Sequence, residues 1–409
     1  MNTRQSIDES TGPYSLSATF NHDNSCFSVG LDTGFCGEPW KKLAYIVNYG
    51  AQADERLEQY IMPTLVLRGK RVIVKLIMYK YIEELTLTVL FAFKISMQAL
   101  GWRKCLASRT TWPLSGVLVI WDDAKQKAAI TLEFRTSVLG VRLSKSKIVA
   151  VLLNSVHVFA FSNPPQKLSV FETSDNPLGL ACLDNKVLAF PGRSPGQVQM
   201  IELETGNISI IPAHSTPLRA MALSPDGNLL ATASEAGTLV RIFATGNCTK
   251  LAELRRGVDH AVIFSISFSP SNNLLAVTSD KSTLHIFDIP HQQPARRSQS
   301  PSSASEETSS HKWGILGKIP LLPRVFSDVY SFANAHFEIG EQANLGSPHV
   351  PPIGSSYGRP QKGLIGWCDD HTLLVIGSGK EGRWEKFVIR DGEEGKRYCV
   401  RDGWKRYLG

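Results

Sequence analysis

The chain lacks the features that mark most enzymes and most exported or membrane-spanning proteins. Its 409 residues contain no nucleophile elbow, zinc-protease motif or paired-carboxylate constellation. The N-terminus has no signal-peptide pattern, and no apolar run is long enough for a transmembrane helix. The seven cysteines are irregularly spaced without a Cys-x-x-Cys pair, which is typical of reduced thiols. We therefore expect a cytosolic protein that is not an enzyme and needs no metal or cofactor.

Net positive charge is small outside one segment. The net charge is +7, and residues 36–116 hold 12 Lys and Arg against 6 Asp and Glu. Little net charge therefore remains for the other residues. Because nucleic-acid binding needs a basic surface, the composition does not favour DNA or RNA as a partner.

The chain contains an internal repeat with a period of 45 residues. Ser224-Pro225 and Asn228–Ala231 recur at Ser269-Pro270 and Asn273–Ala276. Each unit consists of short β-rich runs separated by turn residues. A period near 45 with several short strands is typical of a β-propeller blade.

Weaker copies of the unit support the same fold. They lie at Val138–Glu172 and Leu178–Ile211, and residues 363–408 give the last blade. No long amphipathic helix pattern interrupts this region. The sequence thus predicts an all-β, WD40-like β-propeller that forms a single domain over residues 1–409.

Two adjacent arginines, Arg255 and Arg256, stand in Leu254–Gly257 between the two strong repeats. Successive side chains of a strand point to opposite faces, so the pair is expected to serve two pockets instead of one. The planar guanidinium grips phosphate bidentately. We interpret the pair as two phosphate-binding groups on an exposed rim. The alternative is a solvated arginine pair at a strand end.

Polar residues that suit two such pockets flank the arginines. Hydroxyls, histidines and a further arginine make a good shell for a phosphate monoester and for inositol hydroxyls. Their placement on both sides of the pair favours two sites over a solvated dipeptide. The residues before the pair are His214, Thr232, Ser234, Gly237, Thr238 and Arg241, and those after it are Ser279, Thr283 and His285.

With these residues the chain resembles the PROPPIN family of phosphoinositide-binding propellers. The resemblance covers about four fifths of the chain and implies seven blades. It also implies binding of phosphatidylinositol 3-phosphate and phosphatidylinositol 3,5-bisphosphate, and a role in autophagy. The matching segments are Val119–Asp123, Val170–Thr173, His214, Thr232–Thr238, Leu254–Gly257 and Ser279–Phe287, with the match continuing to the C-terminus.

The resemblance also assigns the candidate ligands to two sites. Some relatives have a second-site histidine two residues after the glycine of the motif. Asp259 stands at that position here, with His260 next, so this ligand is not carried over. By resemblance, Arg255 serves the first site with His214, Thr232, Ser234, Gly237, Thr238 and Arg241, and Arg256 serves the second with Ser279, Thr283 and His285. Gly257 is a further phosphoinositide-binding residue by the same resemblance.

Residues 36–116 depart from the family pattern. The first blade should end here and the second begin, but Trp40–Leu43, Leu65–Arg71 and Leu85–Phe93 lack the strand-and-turn pattern of a blade. The match resumes at Val117. We therefore expect the first and second blades to be disrupted. Translated intron or wrong-frame sequence explains the segment, and a lineage-specific insertion or replacement is the alternative.

A long loop, residues 290–326, follows Asp288 in the second strong repeat. Pro290–His311 is polar without apolar periodicity, which predicts disorder. Lys312–Phe326 interleaves large apolar residues with Lys and Arg, as segments at an anionic bilayer do; packing on the flank of a blade is the alternative. The family has a membrane-inserting loop at this place. By resemblance, the inserting residues are Trp313, Ile315, Leu316, Ile319, Leu321, Leu322, Val325 and Phe326.

One partner site also follows from the resemblance. PROPPINs similar to this branch bind the autophagy lipid-transfer protein through loops that include one in the first blade. Asn21 and Asp23 occupy the matching loop here. A plain turn formed by Asn and Asp explains these residues equally well.

The sequence as a whole implies a peripheral membrane effector. The resemblance implies action on vacuolar, endosomal and preautophagosomal membranes, in autophagy and vacuolar or endosomal trafficking. The alternative is a cytosolic WD-repeat scaffold whose basic edge binds an acidic or phosphorylated protein.

Overall fold

Strands and turns make up almost all of the described chain. The computed structural model has a single short helical turn among its described residues, the 3-10 turn Glu393–Gly395. None of the helices found among these residues is long and apolar enough to cross a bilayer. The structure describes residues 15–20, 24, 26–31, 47–48, 60–68, 71–80, 87–91, 116–122, 127–290, 329–338, 362–377 and 382–406.

The first eight strands form three small antiparallel sheets, β1–β3, β4–β6 and β7–β8. Strands β3 to β6 fall within residues 36–116, so this segment contributes strands. That it departs from the blade pattern stays a prediction. The strands are β1 (Ser15–Phe20), β2 (Cys26–Leu31), β3 (Val47–Asn48), β4 (Tyr60–Arg68), β5 (Arg71–Lys80), β6 (Leu87–Phe91), β7 (Gly116–Asp122) and β8 (Lys127–Phe134).

Two four-stranded antiparallel sheets follow, which we number blades 3 and 4 of a seven-bladed ring. They lie where the weaker copies of the repeat were found. Blade 3 has β9 (Gly140–Leu143), β10 (Lys147–Val151), β11 (Ser155–Ala160) and β12 (Lys167–Glu172), and blade 4 has β13 (Cys182–Leu183), β14 (Val187–Pro191), β15 (Gln197–Glu202) and β16 (Ile208–Pro212).

The two strong repeats form blades 5 and 6. Blade 5 contains β17 (Leu218–Leu223), β18 (Leu229–Ser234), β19 (Leu239–Ala244) and β20 (Lys250–Arg255), joined in parallel by the short β24 (Val329–Tyr330). Blade 6 contains β21 (Ile263–Phe268), β22 (Leu274–Ser279), β23 (Thr283–Asp288) and β25 (Ala333–His336). The long loop thus lies between the third and fourth strands of blade 6.

The last blade, blade 7, is a four-stranded sheet with two long outer strands. It consists of β26 (Leu364–Trp367), β27 (Thr372–Ile376), β28 (Arg383–Asp391) and β29 (Arg397–Arg406).

The 45-residue period is visible in the turns of blades 5 and 6. Gly227 and Asn272 occupy the same turn position, and both have a positive φ, 74° and 63°, which glycine and asparagine tolerate. In both turns a serine hydroxyl accepts the hydrogen bond of the amide five residues later, at 2.8 Å for Ser224 and 3.1 Å for Ser269. The sequence repeat therefore encodes a repeated turn.

The two faces of each blade pack on the neighbouring blades. In blade 5, Leu230 and Phe243 pack on blade 4, whereas Val240 and Leu254 pack on blade 6. Because strand side chains alternate between faces, these contacts assign the neighbouring side chains of β18, β19 and the end of β20 to one face or the other.

Apolar side chains join the first sheet to the last. Ala18 of β1, Phe27 of β2 and Ile376 of β27 are all at most 2% exposed and form one cluster. The first sheet therefore packs on blade 7. With the strand topology, this contact shows the all-β propeller that the repeat predicted.

Candidate functional site

The end of strand β20 divides the two arginines between two clefts. Leu254 faces blade 6, and strand alternation therefore directs Arg255 toward blade 4 and Arg256 toward blade 6. Arg255 is the last residue of β20. We call the cleft between blades 4 and 5 the first cleft, and the cleft between blades 5 and 6 the second cleft.

The first cleft is lined by a hydrogen-bonded row of polar residues. Thr232 is fully buried, and its hydroxyl lies 3.0 Å from Nε2 of His214. Arg241, its partner in the strand register, donates from Nε to Glu253 at 2.8 Å and from Nη1 to the carbonyl of Ala213 at 2.6 Å. The guanidinium of Arg241 is thus held by a carboxylate and a carbonyl.

A glycine of blade 4 positions His214. The amide of His214 donates to the carbonyl of Gly196 at 2.9 Å. Gly196 has a φ of +78°, and a Cβ there would lie 2.0 Å from the carbonyl oxygen of His214. Only glycine allows this approach of the two main chains.

Arg255 lies one step beyond Arg241 on the same face of blade 5. It pairs in register with Leu239, and Glu253 pairs with Arg241. Ser234, which is 6% exposed, is two residues from Thr232 and shares its face. The structure therefore brings Arg255 and Ser234 to the same end of the first cleft.

Arg256 is buried, which corrects the expectation of two arginines on an exposed rim. It is 9% exposed. Its Nε donates to the carbonyl of Gly237 at 2.7 Å, and its Nη2 donates to the carbonyl of Asp259. A buried guanidinium needs such partners, so Arg256 stabilises the connection between blades 5 and 6 as well as lining the second cleft.

Gly237 and Thr238 contribute main-chain atoms to this arrangement. The carbonyl of Thr238 accepts from the amide of Arg256 at 2.9 Å. Gly237 has a φ of +64°, and a Cβ there would lie 1.7 Å from the carbonyl oxygen of Ala261. The two residues were assigned to the first site, and their carbonyls hold the arginine of the second.

The second cleft carries a chain of hydrogen bonds along blade 6. Ser279 Oγ lies 3.2 Å from Thr283 Oγ1, which lies 3.1 Å from Nε2 of His285. Nδ1 of His285 lies 3.1 Å from the hydroxyl of Ser331. Ser279 is fully buried, and these side chains share the face that packs on blade 5.

Both histidines are neutral at physiological pH. Burial, and then the positive charge of Arg241, lower the pKa of His214 to about 4. Burial, then Arg256 and His336, lower the pKa of His285 to about 4. A neutral imidazole has one donor and one acceptor nitrogen, so each ring can pass a hydrogen bond from one neighbour to the next.

Some contributors were missed from the sequence. Glu253 is two residues before Arg255 and binds Arg241. Strand alternation places Glu253 on the same face as Arg255, so the sequence could have predicted that it lines the first cleft. Gly196 and Ser331 act through contacts between blades, for which the sequence has no local pattern. A Cβ at Gly257 would meet open space, so no steric contact requires glycine at this position. The predicted inserting residues of the loop, with Asn21 and Asp23, lie outside the described residues.

Comparisons with known proteins identify the family. The PROPPIN family model matches residues 118–346, which begins one residue after the point where the sequence pattern resumes. The chain belongs to the PROPPIN family. Family members are lipid-binding effectors and not enzymes, as expected for this chain. The chain is thus an autophagy-related propeller of a phosphoinositide-binding family.

Individual relatives agree with this assignment. SVP1-like protein 2 of Emericella nidulans is 74% identical over 292 residues, which cover 71% of this chain and 92% of that protein. Autophagy-related protein 18e of Arabidopsis thaliana is 38% identical, covering 77% and 74%. The solved structure of Kluyveromyces lactis Hsv2 covers 96% of this chain and 99% of its own, with a TM-score of 0.61 at 19% identity, which shows the fold.

The geometry of Gly237 leads to a stability prediction. Gly237→Ala should lower the free energy of unfolding by at least about 2 kcal/mol, because alanine is strained at positive φ and its Cβ meets the Ala261 carbonyl. Urea denaturation measures the loss. Gly246→Ala, where a Cβ meets open space, is the control and should be nearly neutral. Equal effects of the two changes would contradict the prediction.

The two neutral histidines predict a pH dependence of stability. In the unfolded chain they take up a proton near pH 6.5, but in the folded protein only near pH 4. The free energy of unfolding should therefore fall as the pH drops from 6.5 toward 4, by less than about 1.4 kcal/mol per pH unit for each partly exposed ring.

The combined variant His214→Gln and His285→Gln should flatten this dependence in urea denaturation between pH 7 and pH 4.5. His371→Gln, an exchange at an exposed turn of blade 7, should leave it unchanged. An unaltered slope in the double variant would show that other groups cause the acid sensitivity.

Proposed function

We propose that the protein binds phosphatidylinositol 3-phosphate and phosphatidylinositol 3,5-bisphosphate through the first and second clefts. The observation that carries the proposal is the divergence of Arg255 and Arg256 at the end of β20. Each arginine faces a different cleft, and each cleft holds a neutral histidine with hydroxyl neighbours. One headgroup phosphate per cleft matches this chemistry.

The electrostatics of the clefts support anion binding. In the first cleft, Glu253 offsets Arg241, and Arg255 adds a further positive charge at its end. In the second, the side-chain hydrogen bonds of Arg256 within the described part of the chain go to carbonyl oxygens, and the carboxylates of Asp280 and Asp259 act on it only through their charge. A bound phosphate would also raise the pKa of each histidine, because a nearby negative charge favours the imidazolium.

Two clefts at one end of a blade also favour binding to a membrane. A surface that presents many headgroups can fill both clefts at once, and the second binding event then benefits from a high effective concentration. The long loop returns beside this place, because Val329 and Tyr330 pair with Leu254 and Arg255. Insertion of residues 312–326 into the bilayer would add to the affinity.

Cellular placement follows from the same proposal. The protein would act peripherally on vacuolar, endosomal and preautophagosomal membranes and recruit the autophagy lipid-transfer protein through the loop of Asn21 and Asp23. Its role would lie in autophagy and in vacuolar or endosomal trafficking.

The central test is liposome flotation with and without phosphatidylinositol 3-phosphate. Arg255→Thr combined with Arg256→Thr should abolish lipid-dependent flotation, because each cleft loses the arginine that the pair contributes to it. Arg255→Thr alone should weaken it by less, because the second cleft remains. Since Arg256 is buried, thermal unfolding must show that the double variant is still folded.

Arg193→Thr is the matched control, since the side chain of Arg193 is 74% exposed on blade 4. It should float like the wild type. Near-normal flotation of the folded double variant would refute the lipid proposal. Flotation absent from the wild type, with capture of phosphorylated proteins instead, would favour the cytosolic scaffold.

A second test concerns the partner. Asp23→Lys should abolish co-precipitation of the lipid-transfer protein, because the reversed charge opposes the original contact, and should leave flotation unchanged. Glu204→Lys, at an exposed turn of blade 4, controls for the charge change. Retained co-precipitation would contradict the assignment, and loss of both activities would indicate misfolding.

A further inference from the structure

The segment that follows the long loop reaches both clefts. Strand β24 lies beside β20 in parallel, with Tyr330 opposite Arg255. The next residue, Ser331, contacts His285 of blade 6, and the amide of Phe332 donates to the carbonyl of Ile286 at 3.0 Å. Three consecutive residues thus cross from blade 5 to blade 6 at the level of the arginine pair.

This crossing fixes Ser331 in place. The pairing with β20 holds the chain on one side, and the amide of Phe332 holds it on the other. The guanidinium of Arg397 also covers the Phe332 ring at 3.8 Å. Ser331 is only partly exposed. Its hydroxyl is therefore held in a fixed position at the second cleft.

The hydrogen-bond chain of the second cleft has two directions. In one, the Ser331 hydroxyl donates to Nδ1 of His285, and Nε2–H donates to Thr283. The Thr283 hydrogen is then available for Ser279 or for an anion. In the other, Nδ1–H donates to Ser331, and the Thr283 hydroxyl donates its hydrogen to Nε2. Both follow from a neutral ring with one donor and one acceptor.

Binding of an anion favours one of the two hydrogen-bond directions. A phosphate oxygen needs hydrogen-bond donors and is repelled by lone pairs, so it requires the direction in which Thr283 keeps its hydrogen. When the His285 ring is neutral, that direction requires a donor at Nδ1, and the Ser331 hydroxyl is 3.1 Å from Nδ1.

We propose that Ser331 is a positioning residue of the second cleft, which holds His285 as the Nε2–H tautomer and thereby directs the hydroxyl hydrogen of Thr283 toward a bound phosphate group. The inference rests on the proposed function of the second cleft. It places the segment that follows the long loop in the binding site itself.

The test isolates the second cleft by using the full chain with Arg255→Thr. Binding of inositol 1,3-bisphosphate is measured by calorimetry, and the tautomer of His285 by nitrogen-15 spectra of the imidazole. Adding Ser331→Ala should weaken binding about five-fold to ten-fold, the effect of one lost hydrogen bond. It should also reduce the Nε2–H signal.

Two further variants separate positioning from a general loss of structure. Ser331→Thr keeps the hydroxyl and should restore both the affinity and the tautomer. Ser209→Ala makes the same chemical change on the outer strand of blade 4 and should alter neither.

Each outcome decides the proposal. Unchanged affinity in Ser331→Ala overturns it, and so does weaker binding with an unchanged tautomer. Failure of the wild type itself to bind inositol 1,3-bisphosphate would overturn the proposed function, and this role of Ser331 with it. Normal wild-type binding with an unaffected Ser331→Ala variant would overturn the role of Ser331 alone.

Discussion

The contact on which both clefts depend is the buried guanidinium of Arg256 between the carbonyls of Gly237 and Asp259. A charge that is 9% exposed is stable only with close polar partners. These partners come from the two turns that flank the join of blades 5 and 6. Once they are held, the end of β20 is fixed, and Arg255 is directed to the first cleft.

These contacts of Arg256 explain why a residue proposed to bind the ligand also stabilises the fold. The positive φ of Gly237 brings its carbonyl to Arg256, and the Ala261 carbonyl fills the space where a Cβ would be. Burial lowers the pKa of Arg256, and the carboxylates of Asp280 and Asp259 oppose that shift. The charge is therefore retained at the base of the second cleft, close enough to lower the pKa of His285.

The sequence predicted those parts of the fold and site that depend on local pattern. The 45-residue period gave the blades because each turn repeats the same hydrogen bonds, and strand alternation separated Arg255 from Arg256. It could not show that Arg256 is buried, because its partners are carbonyls, which every residue has. Nor could it place Ser331 against His285, since a contact across 46 residues depends on the parallel pairing of β24.

The cleft between blades 6 and 7 shows what distinguishes a candidate anion site from a structural ion-pair cluster. Arg383 and Glu385 are 8% and 1% exposed, and Arg383 contacts Glu338 at 2.6 Å and Glu385 at 3.0 Å. Arg401 lies 3.1 Å from Glu385. Two arginines are thus matched by two glutamates, and the carboxylates already occupy the positions that a phosphate would need. Arg256 contacts carbonyls instead, which carry only partial charge. The same propeller framework therefore closes one cleft with paired charges and keeps cationic character in the clefts around β20.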